Sequence, residues 1–225
     1  MQKRMQRAVL AAVFAAVALG ISSGAMASSS DKAHVSFTAS DMAAARAAVL
    51  HRADLGSAGG WTGGAKKPDL SSTMSCPGYA PKQSDLVVTG AAETAYHHTG
   101  LELQSAAQVL KMRSMVALDW RRTVTAPKAF SCVRTTMAKS LPAGQRLVSF
   151  RKQPFPKLAQ YTAAYRALID VSAGGRHVLV AADIVLVGRG RTEVSLSVEA
   201  PAAARSSLPA AEVRLARALL ARVRA

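Results

Sequence analysis

An α+β domain is the fold class this sequence predicts: an antiparallel sheet of about six to seven strands covered by helices on both faces, an α/β/α sandwich. Three observations lead there. Strand-like runs dominate between residues 85 and 199, and glycine turns join several of them, as antiparallel neighbours require. Helical periodicity is confined to separate segments at the start, in the middle and at the end of the chain. Finally, Tyr161–Val171 alternates only weakly, because Ala164 and Leu168 add apolar groups to its second side, which suits a strand covered from both directions.

The elements follow in order. Ser40-Asp41 supplies capping side chains for a first helix, with Met42, Ala45, Val49 and Ala53 on one face and Asp54-Leu55-Gly56 at its end. A long irregular stretch from Gly56 to Ser84 is expected next. Leu86–Thr89, Ala95–Thr99 and Leu101–Leu110 read as a meander broken by Gly90 and Gly100. Met112, Val116, Trp120 and Val124 recur every four residues, so Met112–Thr125 reads as a helix stopped by Pro127, and a shorter helix carries Phe130, Val133 and Met137. Four strands follow: Gln145–Lys152, Gln160–Ser172, Arg176–Val187 after the Gly174-Gly175 turn, and Arg191–Glu199 after Gly188-Arg189-Gly190. The closing helix, Ala210–Arg224, is apolar on the half bearing Leu215 and Leu219 and basic on the half bearing Arg214 and Arg222. The first and last helices are expected on one face of the sheet and the middle pair on the other.

The N-terminus has the grammar of a secretory leader. Lys3, Arg4 and Arg7 precede an apolar run from Ala8 to Leu19, and Ala25-Met26-Ala27 forms a small-residue site, with cleavage expected between Ala27 and Ser28. The run is too short to span a bilayer. No cysteine follows it, so an exported chain without a lipid anchor is expected, and membrane contact is not expected once the leader is gone. Removing 27 residues from 225 leaves 198, enough for one domain: residues 1–27 as signal peptide, 28–36 as a disordered tail, 37–225 as the α+β domain. The formal net charge is +16, and +13 without the three basic residues of the leader. Such a charge favours solubility and attraction of polyanions without deciding a fold.

Two cysteines, Cys76 and Cys132, remain in the exported chain, and oxidising surroundings favour one disulfide closing a 57-residue loop. A metal site would want further ligands nearby, and the sequence offers no Cys-x-x-Cys, so no metal and no cofactor is expected.

At the level of pattern the chain resembles PsbP-like lipoproteins and the extracellular sensor domains of receptor kinases of the PknH type. The resemblance rests on the leading amphipathic helix into Asp54-Leu55-Gly56 with Trp61 just after, and on Asp119-Trp120 with Cys132 beyond it. It continues through Ala163-Ala164-Tyr165-Arg166 and through Val185–Arg191 ahead of the last strand. The resemblance implies an extracellular ligand-binding domain and assigns no binding residues.

Chemical motifs are mostly negative. There is no Gly-x-Ser-x-Gly and no His-Glu-x-x-His, and Gly59–Lys67 only looks superficially like a phosphate loop, so no catalytic residue is assigned. His97-His98 on a strand point to opposite faces and cannot clasp one metal. The carboxylates Asp119, Asp170, Asp183, Glu193 and Glu199 could serve acid–base chemistry if two shared a cleft, Asp183 being unusual within an apolar strand. Trp61, with Lys66 and Lys67 close behind, is the candidate binding group, a ring to stack on a ligand beside ammonium groups that hold an anion. Basic charge is spread along the chain, so nucleic acid is not an expected partner. The reading is an exported, non-enzymatic binding or sensor-type domain for a small or anionic envelope ligand. The alternatives are a cell-envelope hydrolase using Asp119 and Asp183, or a structural envelope protein with an exposed apolar patch.

Overall fold

The computed structural model describes residues 31–57, 59–71, 74–204, 206 and 208–223. The expected leader and its Ala27/Ser28 cleavage site lie outside the described residues. The strands are β1 (His34–Val35), β2 (Thr62–Lys66), β3 (Val87–His98), β4 (Leu101–Leu110), β5 (Gln145–Lys152), β6 (Tyr161–Ala173), β7 (Arg176–Arg189) and β8 (Thr192–Pro201). They form one mixed sheet in the order β1-β3-β4-β8-β7-β6-β5, with β2 also pairing β3. Only β1 is parallel to its neighbour; every other pair is antiparallel. Among the described residues, four α-helices cover the sheet: α1 (Ala39–Ala47), α2 (Arg113–Trp120), α3 (Ala129–Ser140) and α4 (Leu208–Ala221).

The cover is divided as the periodicity implies. On the first face, Ala45 of α1 and Leu215, Ala216 and Leu219 of α4 share one continuous core with Leu103, Val109, Val194 and Leu196 of the central strands. On the second face, α3 brings Phe130, Val133 and Met137 onto Phe150, Tyr165 and Ile169, while α2 brings Met115 and Val116 onto Leu86, Val88 and Leu110. Arg222 ties the end of α4 to the exit of α1: it forks onto Asp54 at 2.8 and 2.9 Å and donates to the carbonyls of Ala47 and Val49. Burial acts upward on Asp54, yet this fork holds its carboxyl below the usual range.

Local details differ from the expectations, for identifiable reasons. Thr38, not Ser40 or Asp41, caps α1, accepting from Asp41 N at 3.1 Å. Asp41 in the first turn instead takes a guanidinium fork from Arg191, which holds its carboxyl low. The α-helix stops at Ala47, and a 3-10 turn over Arg52–Leu55 leads to Gly56. The stretch Gly56–Ser84 is not wholly irregular, because β2 pairs Lys66 with Glu93 and Thr62 with His97 along β3. His34–Val35, within the expected tail, is a short parallel strand, and Asp31 accepts from the backbone of Gln83 and Ser84. The helix over Met112–Thr125 is α-helical to Trp120 and π-helical over Arg121–Thr125.

Gly90 does not break its strand. β3 runs through it with a register shift between Val88 and Gly90, and a Cβ there would lie 2.2 Å from the carbonyl oxygen of Asp41. Close approach of α1 to the sheet therefore requires glycine. Gly90→Ala is expected to cost about 2 kcal/mol by overpacking, read as a fall in the thermal unfolding midpoint.

Candidate functional site

The second face of the sheet is not apolar at its centre. Side chains alternate along β4 and β8, and the residues on the first face join the main core, as described. On the other face, the register sets Gln108 opposite Glu193, Ala106 opposite Ser195, Gln104 opposite Ser197 and Glu102 opposite Glu199. A polar stripe thus runs down the two central strands and separates the apolar cluster under α3 from the one under α2.

One end of the stripe closes into a pocket of about 180 Å³ lined by Asp119, Trp120, Thr123, Gln108, Glu193 and Ser195 among others. Its wall is built by the end of α2 and the π-helical turn, the kind of irregularity that re-aims side chains at functional sites. α2 can descend this far because Gly188, opposite Glu193, has no side chain. The Tyr161 ring lies 3.2 Å from where a Cβ would stand, and Trp120 packs on that ring with centroids 5.4 Å apart.

Inside the pocket Asp119 and Glu193 are neighbours, each carboxyl perturbing the other. Gln83 Nε2 donates to Asp119 Oδ1 at 3.3 Å, and Thr123 Oγ1 donates to the Asp119 carbonyl at 2.9 Å. Glu193 Oε1 is shielded from solvent and has no hydrogen-bond partner. Burial pushes both carboxyls up, Glu193 well above the ordinary range with the charge of Asp119 adding to the effect. Two neighbouring carboxyls cannot both ionise at low cost, so each makes ionisation of the other less favourable. Such a pair can donate a hydrogen bond, accept one, or exchange its proton for a cationic group.

At the other end of the stripe, Glu102 and Glu199 are 1% and 3% exposed, each with one carboxylate oxygen that makes no hydrogen bond. Burial and the neighbouring Glu102 push Glu199 up to about 8. Gln104 Nε2 donates to Glu102 Oε1 at 2.6 Å, and His97 Nδ1 lies 3.5 Å from Glu102 Oε2. Glu193 and Glu199 are six positions apart on one strand, roughly 20 Å.

The residues singled out from sequence fall in several places. Cys76 and Cys132 form a disulfide with Cα atoms 5.6 Å apart, joining the Gly-rich segment to α3. Trp61 packs against the first-face core with its ring centroid 5.1 Å from that of His98. Lys66 lies across the sheet from it, with Nζ 3.5 Å from Glu93, and Lys67 is exposed beyond the strand. The three therefore do not converge on one ligand. His97 and His98 point to opposite faces, one toward Glu102 and one toward Trp61. Asp183, 2% exposed, is gripped by Arg166 and neighbours Glu212 of α4. It faces away from Asp119, so these two acids do not form the pair the hydrolase reading required. Asp170 is held by Arg146 at 3.4 Å and His177 at 3.1 Å.

The pocket is also lined by Gln108, Trp120 and Ser195, and Gln83 donates to Asp119; none of these was assigned a site role from sequence. Their signal was the run of polar residues at every second position of β8, beginning with Glu193 and Ser195, which is unusual for the middle of a sheet. Among the described residues, no group of three or more His, Cys, Asp or Glu could hold a metal, and no helix is long and apolar enough to cross a membrane.

No family model matches the chain, and no curated protein matches it. Among solved structures, a Pseudomonas aeruginosa protein of unknown function is similar over 51% of this chain and 70% of its own, with 14% identity and a TM-score of 0.28.

Proposed function

We propose that the chain is an exported, non-enzymatic binding domain that holds a small polar ligand in the pocket at the end of the stripe. Export rests on the leader-like N-terminus and agrees with the disulfide. Binding rests on one observation above all: a polar, half-buried stripe divides the second-face core and ends in a pocket lined by two neighbouring carboxyls, Asp119 and Glu193. The acids disfavour an anionic occupant there. They favour a ligand that presents hydrogen-bond donors, such as a hydroxyl, amide or ammonium group, with Trp120 as an apolar wall. The likeness to extracellular sensor domains points to the same class.

Titration of the ¹⁵N-labelled protein with neutral sugars, amines and carboxylates tests this reading. Shifts should appear at the Trp120 indole and at Gln108 and Ser195 for donor-bearing compounds. Glu193→Gln should weaken that binding about tenfold, the worth of one hydrogen bond to a charged or charge-sharing group. Shifts confined to the Trp61 region would overturn it.

The acid pair also favours a second reading, a hydrolase in which Glu193 and Asp119 exchange a proton with substrate. Turnover of an envelope glycan or peptide, lost in Glu193→Gln and in Asp119→Asn alike, would select it over binding alone.

A further inference from the structure

From Trp120 to Ile169 the chain carries ten Lys and Arg residues and no Asp or Glu. Carboxylates elsewhere neutralise three of them: Arg122 forks onto Asp85, Arg146 meets Asp170, and Arg166 grips Asp183. The other seven make no ion pair among the described residues, and all seven are exposed. Arg121 and Lys128 flank the turn into α3, and Lys128 reaches the carbonyl of Gly78 at 3.3 Å. Arg134 and Lys139 lie on α3, Arg151 and Lys152 on β5, and Lys157 just beyond.

Four of these residues lie on α3 and β5, which pack together at the end of the sheet, Lys152 on the face that α3 covers and Arg151, like its neighbour Arg166, on the other. α3 seats on β5 and β6 through the ring stack of Phe130, Phe150 and Tyr165, with centroids 5.1 and 5.5 Å apart along the stack. β5 ends the sheet order, so its outer side has no partner strand among the described residues. Cations on an edge strand do block pairing with a second chain, which accounts for Arg151 and Lys152. That role does not extend to Arg134 and Lys139 on the helix.

We propose that the α3–β5 edge is a docking surface for a linear phosphate-bearing polymer. Charge complementarity selects an anionic occupant, and the eight-residue strand edge, roughly 26 Å long, suits an extended chain. An anionic membrane would call for apolar or aromatic anchors. On this edge Phe130 and Phe150 are turned into the core, and Val148 is the large exposed apolar residue. Inward rings likewise leave no platform for stacking bases, which single-stranded nucleic acid uses. The surface is separate from the acid pocket and stands or falls independently of it.

The test measures affinity for long-chain inorganic polyphosphate at about 50 and 200 mM salt, spanning the range in which screening acts. The variant Arg134→Gln/Lys139→Gln/Arg151→Gln/Lys152→Gln is compared with Lys32→Gln/Lys111→Gln/Arg176→Gln/Arg217→Gln, which has the same net charge. Circular dichroism confirms that both fold. The edge variant should lose at least about tenfold in affinity, and its log–log salt slope should fall by about 3, while the control loses less than about threefold. Equal losses in the two variants would reduce the effect to net charge and overturn the proposal. So would anionic vesicles or single-stranded DNA that bind more tightly through the same four residues.

Discussion

Reduction of the Cys76–Cys132 bond is expected to lower the midpoint of thermal unfolding by about 10 °C. The cross-link spans a sequence separation of 56, for which loop entropy gives about 4 kcal/mol, and a chain of this size shifts about 2–4 °C per kcal/mol. The enclosed segment is not merely a loop. It holds β3, β4 and α2, so the unfolded chain loses freedom across the centre of the sheet. In the native state the bond fastens a segment otherwise held by few contacts: the Cys76–Tyr79 bridge, the Tyr79 hydroxyl donating to the Arg122 carbonyl, and Lys128 on Gly78. Calorimetry with and without reductant, repeated on Cys76→Ala/Cys132→Ala, measures the effect. A fall below about 2 °C would mean that these polar contacts alone fix the segment.

Much of the fold was legible because the antiparallel meander fixes its own register. A two-residue turn at Gly174-Gly175 sets Arg166 opposite Asp183, and the turn at Thr99-Gly100 sets His97 opposite Glu102. The ion pair that neutralises Asp183 was therefore readable from the hairpin alone. Pairing of β4 with β8 joins segments about 90 residues apart, and no turn specifies it. Hence the Glu102–Glu199 contact and the stripe were hidden. The Asp119–Glu193 pair depends further on how far α2 descends over Gly188, which is decided by packing of Tyr161 and Trp120. β2 escaped notice because Thr-Gly-Gly-Ala-Lys has no apolar alternation, and it is a strand because the outer edge of β3 supplies hydrogen-bond partners. Glu212, whose place near the start of α4 suits the helix dipole, is 5% exposed beneath that helix and lies beside Asp183.

The buried acids predict that this strongly basic protein is more stable at mildly acidic pH than at pH 8. Burial and the proximity of Glu102 push Glu199 up to about 8, and burial with the Asp183 contact pushes Glu212 up to about 8. Glu193 and Asp119 shift in the same direction. In the unfolded chain a glutamate loses its proton near 4.5, whereas the folded protein retains it to about 8. Between those values the native state binds more protons, so stability falls as pH rises through the window. Asp31, Asp41, Asp54 and Asp85 act oppositely, their carboxyls held low by hydrogen bonds and guanidinium groups, and their stabilisation is lost only on acidification below the ordinary carboxylate range. The maximum should therefore lie near pH 5. Even about 1 kcal/mol from each of two glutamates gives a midpoint about 5 °C higher at pH 5 than at pH 8, measurable by calorimetry from pH 4 to 9. Glu199→Gln and Glu212→Gln keep the shape and a hydrogen-bond donor while removing the titration. Each should match the parent near pH 5, exceed it at pH 8, and flatten the profile in between. A parent midpoint that climbs steadily from pH 5 to 8 would mean that these carboxyls ionise in the folded protein as freely as in water.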